Sequence, residues 1–157
     1  MIKLTKRTEY GLIALIHLAE REGQVVSARE IGETYPVPRR LLAEVLKDLQ
    51  HAGLVLSTRG AHGGYTLAEP IADISLGRVV ALLEGSPTLT DCQTTAGGAN
   101  CEVHASCPIR DPLDRIKSGI WNLMEQTSLR SLMERSPMVP LGNGSLHHHP
   151  SAASKSE

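Results

Sequence analysis

The sequence predicts a mainly α-helical chain with one small β-hairpin, and three observations lead there. Two short helical patterns follow one another across a tight turn within residues 27–53. A glycine-rich hairpin pattern comes directly behind them at 54–67, and a long amphipathic pattern opens near residue 110. With 157 residues, 41% of them hydrophobic, the chain can bury a core; with 3% aromatic residues and no Phe, that core is aliphatic. No apolar run is long enough to span a bilayer, and the opening Met1–Arg7 lacks the apolar region of a secretion signal. A cytoplasmic protein without a membrane partner is therefore expected. The net charge of −1 gives no global sign of a polyanionic partner, but it is uneven. Residues 1–67 carry nine Lys/Arg against seven Asp/Glu, and residues 68–157 carry seven against ten.

Residues 5–22 read as the first helix: Thr5 is placed to cap it, Leu12, Ile13, Leu15, Ile16 and Ala19 line one side, and Gly23 stops it. Ser27-Ala28-Arg29-Glu30 has the form of a capping box, so a short second helix starts at Ser27 and ends before Tyr35-Pro36. A third helix runs from Pro38, expected at the first helical position, to Gly53. Leu41, Leu42, Val45, Leu46 and Leu49 form its apolar stripe, while Arg39, Arg40, Glu44, Lys47 and Asp48 fall largely off it. Two such helices across a tight turn, the second opening on arginines, are a helix-turn-helix.

Leu54-Val55-Leu56-Ser57 and Tyr65-Thr66-Leu67 then flank Arg59-Gly60-Ala61-His62-Gly63-Gly64, a hairpin with a glycine-rich tip. A helix-turn-helix followed at once by such a hairpin is a winged helix, whose wing glycines let the backbone approach a phosphate or a narrow groove. Residues 75–84 form another helix capped by Ser75. Asp111-Pro112 opens the long one, with Asp111 expected as its N-cap. Along it Leu113, Ile116, Ile120 and Leu123 recur at three- and four-residue steps and give a seam expected to run on through Thr127. That seam packs either on the chain's own body or on a second copy. Since helix-turn-helix proteins read two half-sites as dimers, the homodimer is favoured. Residues 137–157 have the composition of a disordered tail. The expected division is thus a winged helix-turn-helix domain at 1–86, a cysteine-rich loop at 87–109, a dimerisation helix at 110–136 and the tail.

All three cysteines, Cys92, Cys101 and Cys107, lie in that loop. It lacks the apolar density to bury three thiols, and an odd count leaves one unpaired in any disulfide scheme. Soft thiolates on a Gly/Ala/Thr/Asn-rich loop suit an iron–sulfur cluster, which takes four ligands, sometimes with a His or carboxylate among them. Zinc competes, but gaps of eight and five residues contain no tight knuckle. Redox-active or simply structural thiols remain the further alternatives.

The opening K-L-T-K-R-T-E-Y-G-L, the wing S-T-R-G-A-H-G-G-Y-T-L, the I-S-L-G-R-V-V helix and three cysteines just before the long helix resemble the bacterial winged-helix iron–sulfur regulators, the IscR-like and NsrR-like family, over about residues 1–135. The resemblance implies a homodimer with crossing long helices, and a [2Fe-2S] or [4Fe-4S] cluster in the loop near the partner's first helix. The ligand pattern departs from the family's, whose first cysteine gap is five or six residues rather than eight. Arg110 stands where IscR-like members have a ligating His, and a guanidinium cannot bind iron. Glu9 matches the position of the partner-helix carboxylate of NsrR-like members and is the first candidate for a fourth ligand. His104, within the loop, is the second.

On this reading Arg39 and Arg40 reach the major groove of a pseudo-palindromic double-stranded operator. Ser27, Lys47 and Arg59 hold the DNA backbone, and His62, Gly63 and Gly64 carry the wing toward the minor groove. The expected function is a homodimeric transcriptional repressor whose DNA affinity follows a cluster that senses nitric oxide, redox state or cluster supply. The alternative keeps the DNA binding and makes the three cysteines a thiol switch. An enzyme with a cysteine nucleophile would need a base beside one thiol; His104 is the sole nearby candidate, and no oxyanion or phosphate loop accompanies it.

Overall fold

The computed structural model describes residues 3–85, 88–90, 101–103 and 106–134. The expected tail, Cys92 and His104 lie outside them. The described residues form α1 (Lys6–Glu20), α2 (Ala28–Thr34), α3 (Arg39–His51), β1 (Val55–Thr58), β2 (Gly64–Leu67), a 3-10 turn (Ile71–Asp73), α4 (Leu76–Glu84), α5 (Arg110–Gln126) and α6 (Leu129–Met133).

Local chemistry sets most of the helix starts. The hydroxyls of Thr5, Ser27 and Ser75 accept from the backbone N–H three residues on, at 3.3, 3.1 and 3.0 Å, so each removes one orphan donor of a first turn. The box at Ser27 works in one direction: the Glu30 carboxylate is taken at 2.8 Å by Arg21, the C-cap of α1, which ties α2 to the end of α1. Two starts differ from expectation. Pro38 is the N-cap of α3 rather than its first residue, and α5 begins at Arg110, so that Asp111 lies inside the first turn and does not cap it.

One core unites α1, α2, α3, the hairpin and α4. Leu15, Ile31, Leu42, Leu46, Leu49, Leu54 and Ile74 are fully buried in it, and it is aliphatic as the composition requires. Each such side chain contributes about 1.5–3 kcal/mol when removed from water. The strands pair antiparallel from Val55↔Leu67 to Thr58↔Gly64, and an isolated bridge between Val26 and Tyr65 fastens the wing to the segment entering α2.

The helix expected over 110–136 breaks at Thr127. There the backbone turns extended, the Thr127 hydroxyl donates to Leu123 O at 2.7 Å, and Ser128 caps α6. The cause is tertiary. Leu76 N donates to Thr127 O and Leu129 N to Ile74 O, both at 2.8 Å, and the Leu129 side chain enters the core fully. Residues 127–134 thus belong to the winged-helix body. Among the described residues no helix is long and apolar enough to cross a membrane.

Candidate nucleic-acid interface and cysteine loop

The amphipathic pattern of α3 decides which of its residues can meet a partner. Leu42, Val45, Leu46 and Leu49 face the core, so Arg39, Arg40, Ala43, Glu44, Lys47 and Gln50 are left on the outside. Arg39 and Arg40 form the first turn, which has no side-chain cap, and the positive end of the helix dipole adds to their charge. Arg40 is 94% exposed and its Nε donates to Glu44 Oε1 at 3.2 Å.

The wing stands beside this face. Ala28 of α2, Gln50 in the last turn of α3, and Ser57, Thr58, Arg59, Gly63, Gly64 and Tyr65 line an open groove of about 500 Å³. Two of the wing glycines, Gly63 and Gly64, are there because nothing larger fits. A Cβ on Gly64 would run into the Val26 carbonyl, and one on Gly63 would lie 2.5 Å from Thr58 O. Arg59 and His62 are exposed at the tip. Ser27, half-buried, already uses its hydroxyl oxygen as the α2 cap, which leaves its O–H as donor to an outside acceptor. The structure thus leaves Arg39, Arg40 and Lys47 exposed on the outer side of α3 and Arg59 exposed in the wing, whose first strand packs on that helix. It adds Gln50, whose position the sequence pattern alone did not single out because its neighbour across the groove is the hairpin.

Behind that face, Arg7 in the first turn of α1 pairs with Asp48 of α3, so the start of the chain is tied directly to the helix carrying the arginines. His17 is fully buried between α1 and α2. Arg21 lies 3.2 Å from its Nδ1, Glu30 3.6 Å from its Nε2, and Tyr35 meets its ring edge-on. The guanidinium can only donate, so Nδ1 is the acceptor in that contact, while Nε2 is buried without a hydrogen-bond partner among the described residues. The Arg7–Asp48 pair and the contacts of His17 with Glu30 and Tyr35 are not visible in local patterns, since each joins residues more than ten positions apart.

Cys101 and Cys107 are half-buried free thiols in the loop ahead of α5; Cys92 and His104 are outside the described residues. Glu9 lies in the first turn of α1, partly exposed and paired with Lys6. Hydrogen bonding to that carboxylate, and then its charge, raise the Lys6 ammonium above its ordinary range against a small desolvation effect. Arg110 opens α5 and holds Asp111 at 3.1 Å. Among the described residues no three His, Cys, Asp or Glu converge within one chain. The two described thiols are soft donors of the kind iron takes, and Glu9, paired with Lys6, is a hard one.

On α5 no residue is buried. Leu113 and Ile120 are half-covered, Ile116 is 53% and Leu123 37% exposed, and Ile109, Val103 and Leu82 add further exposed apolar surface.

The sequence matches the Rrf2 family, described as iron-dependent transcriptional regulator, over residues 4–135. Among solved structures it is similar to CymR, the global cysteine regulator of B. subtilis, at 28% identity and a TM-score of 0.68, covering 87% of this chain and 100% of that one. The oxidized form of Staphylococcus aureus CymR gives 29% identity and a TM-score of 0.67, covering 87% and 100%. The IscR of T. potens gives 27% and 0.66, covering 84% and 86%.

Proposed function

The chain belongs to the Rrf2 family, DNA-binding transcription regulators rather than enzymes, and from that premise we propose a homodimeric repressor whose operator affinity is set by an iron–sulfur cluster. The observation that carries the DNA-binding part is the outward face of α3, where two arginines and a lysine are exposed and whose last turn borders the groove of the glycine-rich wing. Arg39 and Arg40 enter the major groove of a pseudo-palindromic operator; Ser27, Lys47 and Arg59 hold phosphates; His62, Gly63 and Gly64 carry the wing to the minor groove. The partly exposed seam of Leu113, Ile116, Ile120 and Leu123 supports pairing of α5 across a two-fold axis.

Cys92, Cys101 and Cys107 would hold the cluster, with Glu9 of the partner subunit as fourth ligand, or His104 in its place. When bound, such a group supplies a redox-active centre open to nitric oxide. The chain's own part is electrostatic and mechanical. Glu9 would leave Lys6 to serve as ligand, and Arg7, two residues away, transmits the position of that first turn to α3 through Asp48. The family's iron dependence supports this reading. Likeness to CymR, one structure of which is an oxidized form, favours the second reading, in which the same cysteines act as a thiol switch without a cluster in the cytoplasm.

Purification without oxygen, followed by absorption spectroscopy with iron and sulfide assays, separates the two. A brown protein whose visible charge-transfer bands are abolished by Cys101→Ser, and whose DNA affinity changes on titration with nitric oxide or oxygen, is the expected result. A colourless, iron-free protein whose DNA binding responds to thiol oxidants sinks the cluster and leaves the switch.

A further inference from the structure

We propose that Glu44 is a positioning residue that sets what Arg40 reads, an inference resting on the assignment of α3 as the helix that enters the groove. Among the residues of α3, Glu44 is the exposed carboxylate; Asp48 is turned inward onto Arg7. It lies one turn from Arg40 and one turn from Lys47, in the middle of the face that the buried stripe forces toward a partner. A negative charge there opposes approach to a polyanion, so a face built only to hold DNA would do better without it.

The geometry points to what offsets that cost. Glu44 Oε1 takes the Nε–H of Arg40 at 3.2 Å, the donor on the side of the guanidinium. Of the five guanidinium N–H donors, the four on the two terminal nitrogens are then left for a partner, and a terminal nitrogen pair is what forks onto O6 and N7 of guanine. Without this contact, a side chain that is 94% exposed must lose its rotameric freedom on binding. It is also free to fold back onto the nearest phosphate, which carries no sequence information. The carboxylate repels phosphate and holds the fork for a base. Glu44 thereby gives up general affinity and gains discrimination. The pair is exposed and contributes little to folding, so its effect is separable from stability.

The test uses the full-length dimer and duplexes that the wild-type protein selects from a random-sequence pool. Affinity for a selected duplex and for the unselected pool is measured at one salt concentration, and their ratio is the readout. Glu44→Ala is expected to lower that ratio about tenfold, the worth of one well-placed bidentate contact, by tightening pool binding and weakening selected binding together. Glu44→Asp, which keeps the charge one methylene closer to the backbone, should hold the ratio within about threefold of wild type. In an Arg40→Ala background Glu44→Ala should leave the ratio where Arg40→Ala put it. A wild-type ratio in Glu44→Ala, or an undiminished drop in the Arg40→Ala background, overturns the proposal. Should Arg40→Ala alone leave the selected sequence and ratio unchanged, α3 is not reading bases through that residue, and the proposal falls with that assignment.

Discussion

Leu42, Val45, Leu46 and Leu49 recur along α3 at the same three- and four-residue steps at which Leu113, Ile116, Ile120 and Leu123 recur along α5. The first four are buried to 1% exposure or less, and none of the second four is buried. A periodic stripe is therefore a demand for cover, and it does not say where the cover comes from. For α3 the cover is the same chain: α1, α2 and the hairpin close over it, and its polar face is left for a partner that is not protein-like. For α5 the main cover among the described residues is α4, and the seam stays only partly covered. In the one helix the apolar side is settled and the charged side is functional. In the other, on the reading proposed above, the apolar side itself is the binding surface.

The largest effect that tests this contrast is on α3. Leu46→Ala removes a fully buried side chain from a core that closes around it, and should cost about 2–5 kcal/mol. Chemical denaturation should show the loss at every protein concentration. A loss below about 1 kcal/mol would mean the α3 stripe is not the centre of the core.

Next comes α5. Ile116→Glu places a charge on a residue that one chain leaves 53% exposed, so within a single chain little should change. Across a two-fold interface it should weaken association about a hundredfold, the effect of a charge buried at a central contact. Sedimentation would show a folded monomer with wild-type helicity, and affinity for a two-half-site duplex would fall through lost avidity. A variant that remains dimeric at wild-type concentrations would move the interface elsewhere.

The same contrast explains what was legible in the sequence. Thr5, Ser27 and Ser75 could be named as caps because a cap acts over three residues. Arg39, Arg40 and Lys47 fell on one face because helical periodicity alone puts them there. Pro38 and Asp111 were each placed a position or two off, since both residue types suit a helix start in more than one slot. The break at Thr127 was not legible. Local pattern favours a continuous helix, and the hydrogen bonds that end it come from Ile74 and Leu76, far earlier in the chain. Gln50's share in the wing groove, the Arg7–Asp48 pair and the burial of His17 were hidden for the same reason. The thiols were readable from residue type; on the reading proposed above, a second chain would complete their ligand set.

The smallest effect separates the two sides of α5 with a pair of glycines. A Cβ on Gly77 of α4 would stand 2.7 Å from Glu125 Oε1 and 2.9 Å from Glu125 N, so α4 and α5 approach there as closely as backbone allows. Gly77→Ala must push α5 outward or bend it and should cost about 1–2 kcal/mol of thermal stability. Gly119, in the middle of α5, has nothing within 4 Å of a Cβ in the single chain. Within one chain, Gly119→Ala should stabilise the helix by up to about 1 kcal/mol through backbone entropy alone. The dimer can reverse that sign. If the partner helix crosses at Gly119, the added methyl meets it, and the variant will gain helicity as a monomer while losing affinity for its copy. Measuring melting temperature against protein concentration for both variants resolves this. A cost at Gly77 that is independent of concentration, with a gain at Gly119 that vanishes or inverts as the dimer forms, places the crossing point of the two α5 helices at Gly119. A gain at Gly119 that persists at all concentrations places it toward Ile116 or Leu123 instead.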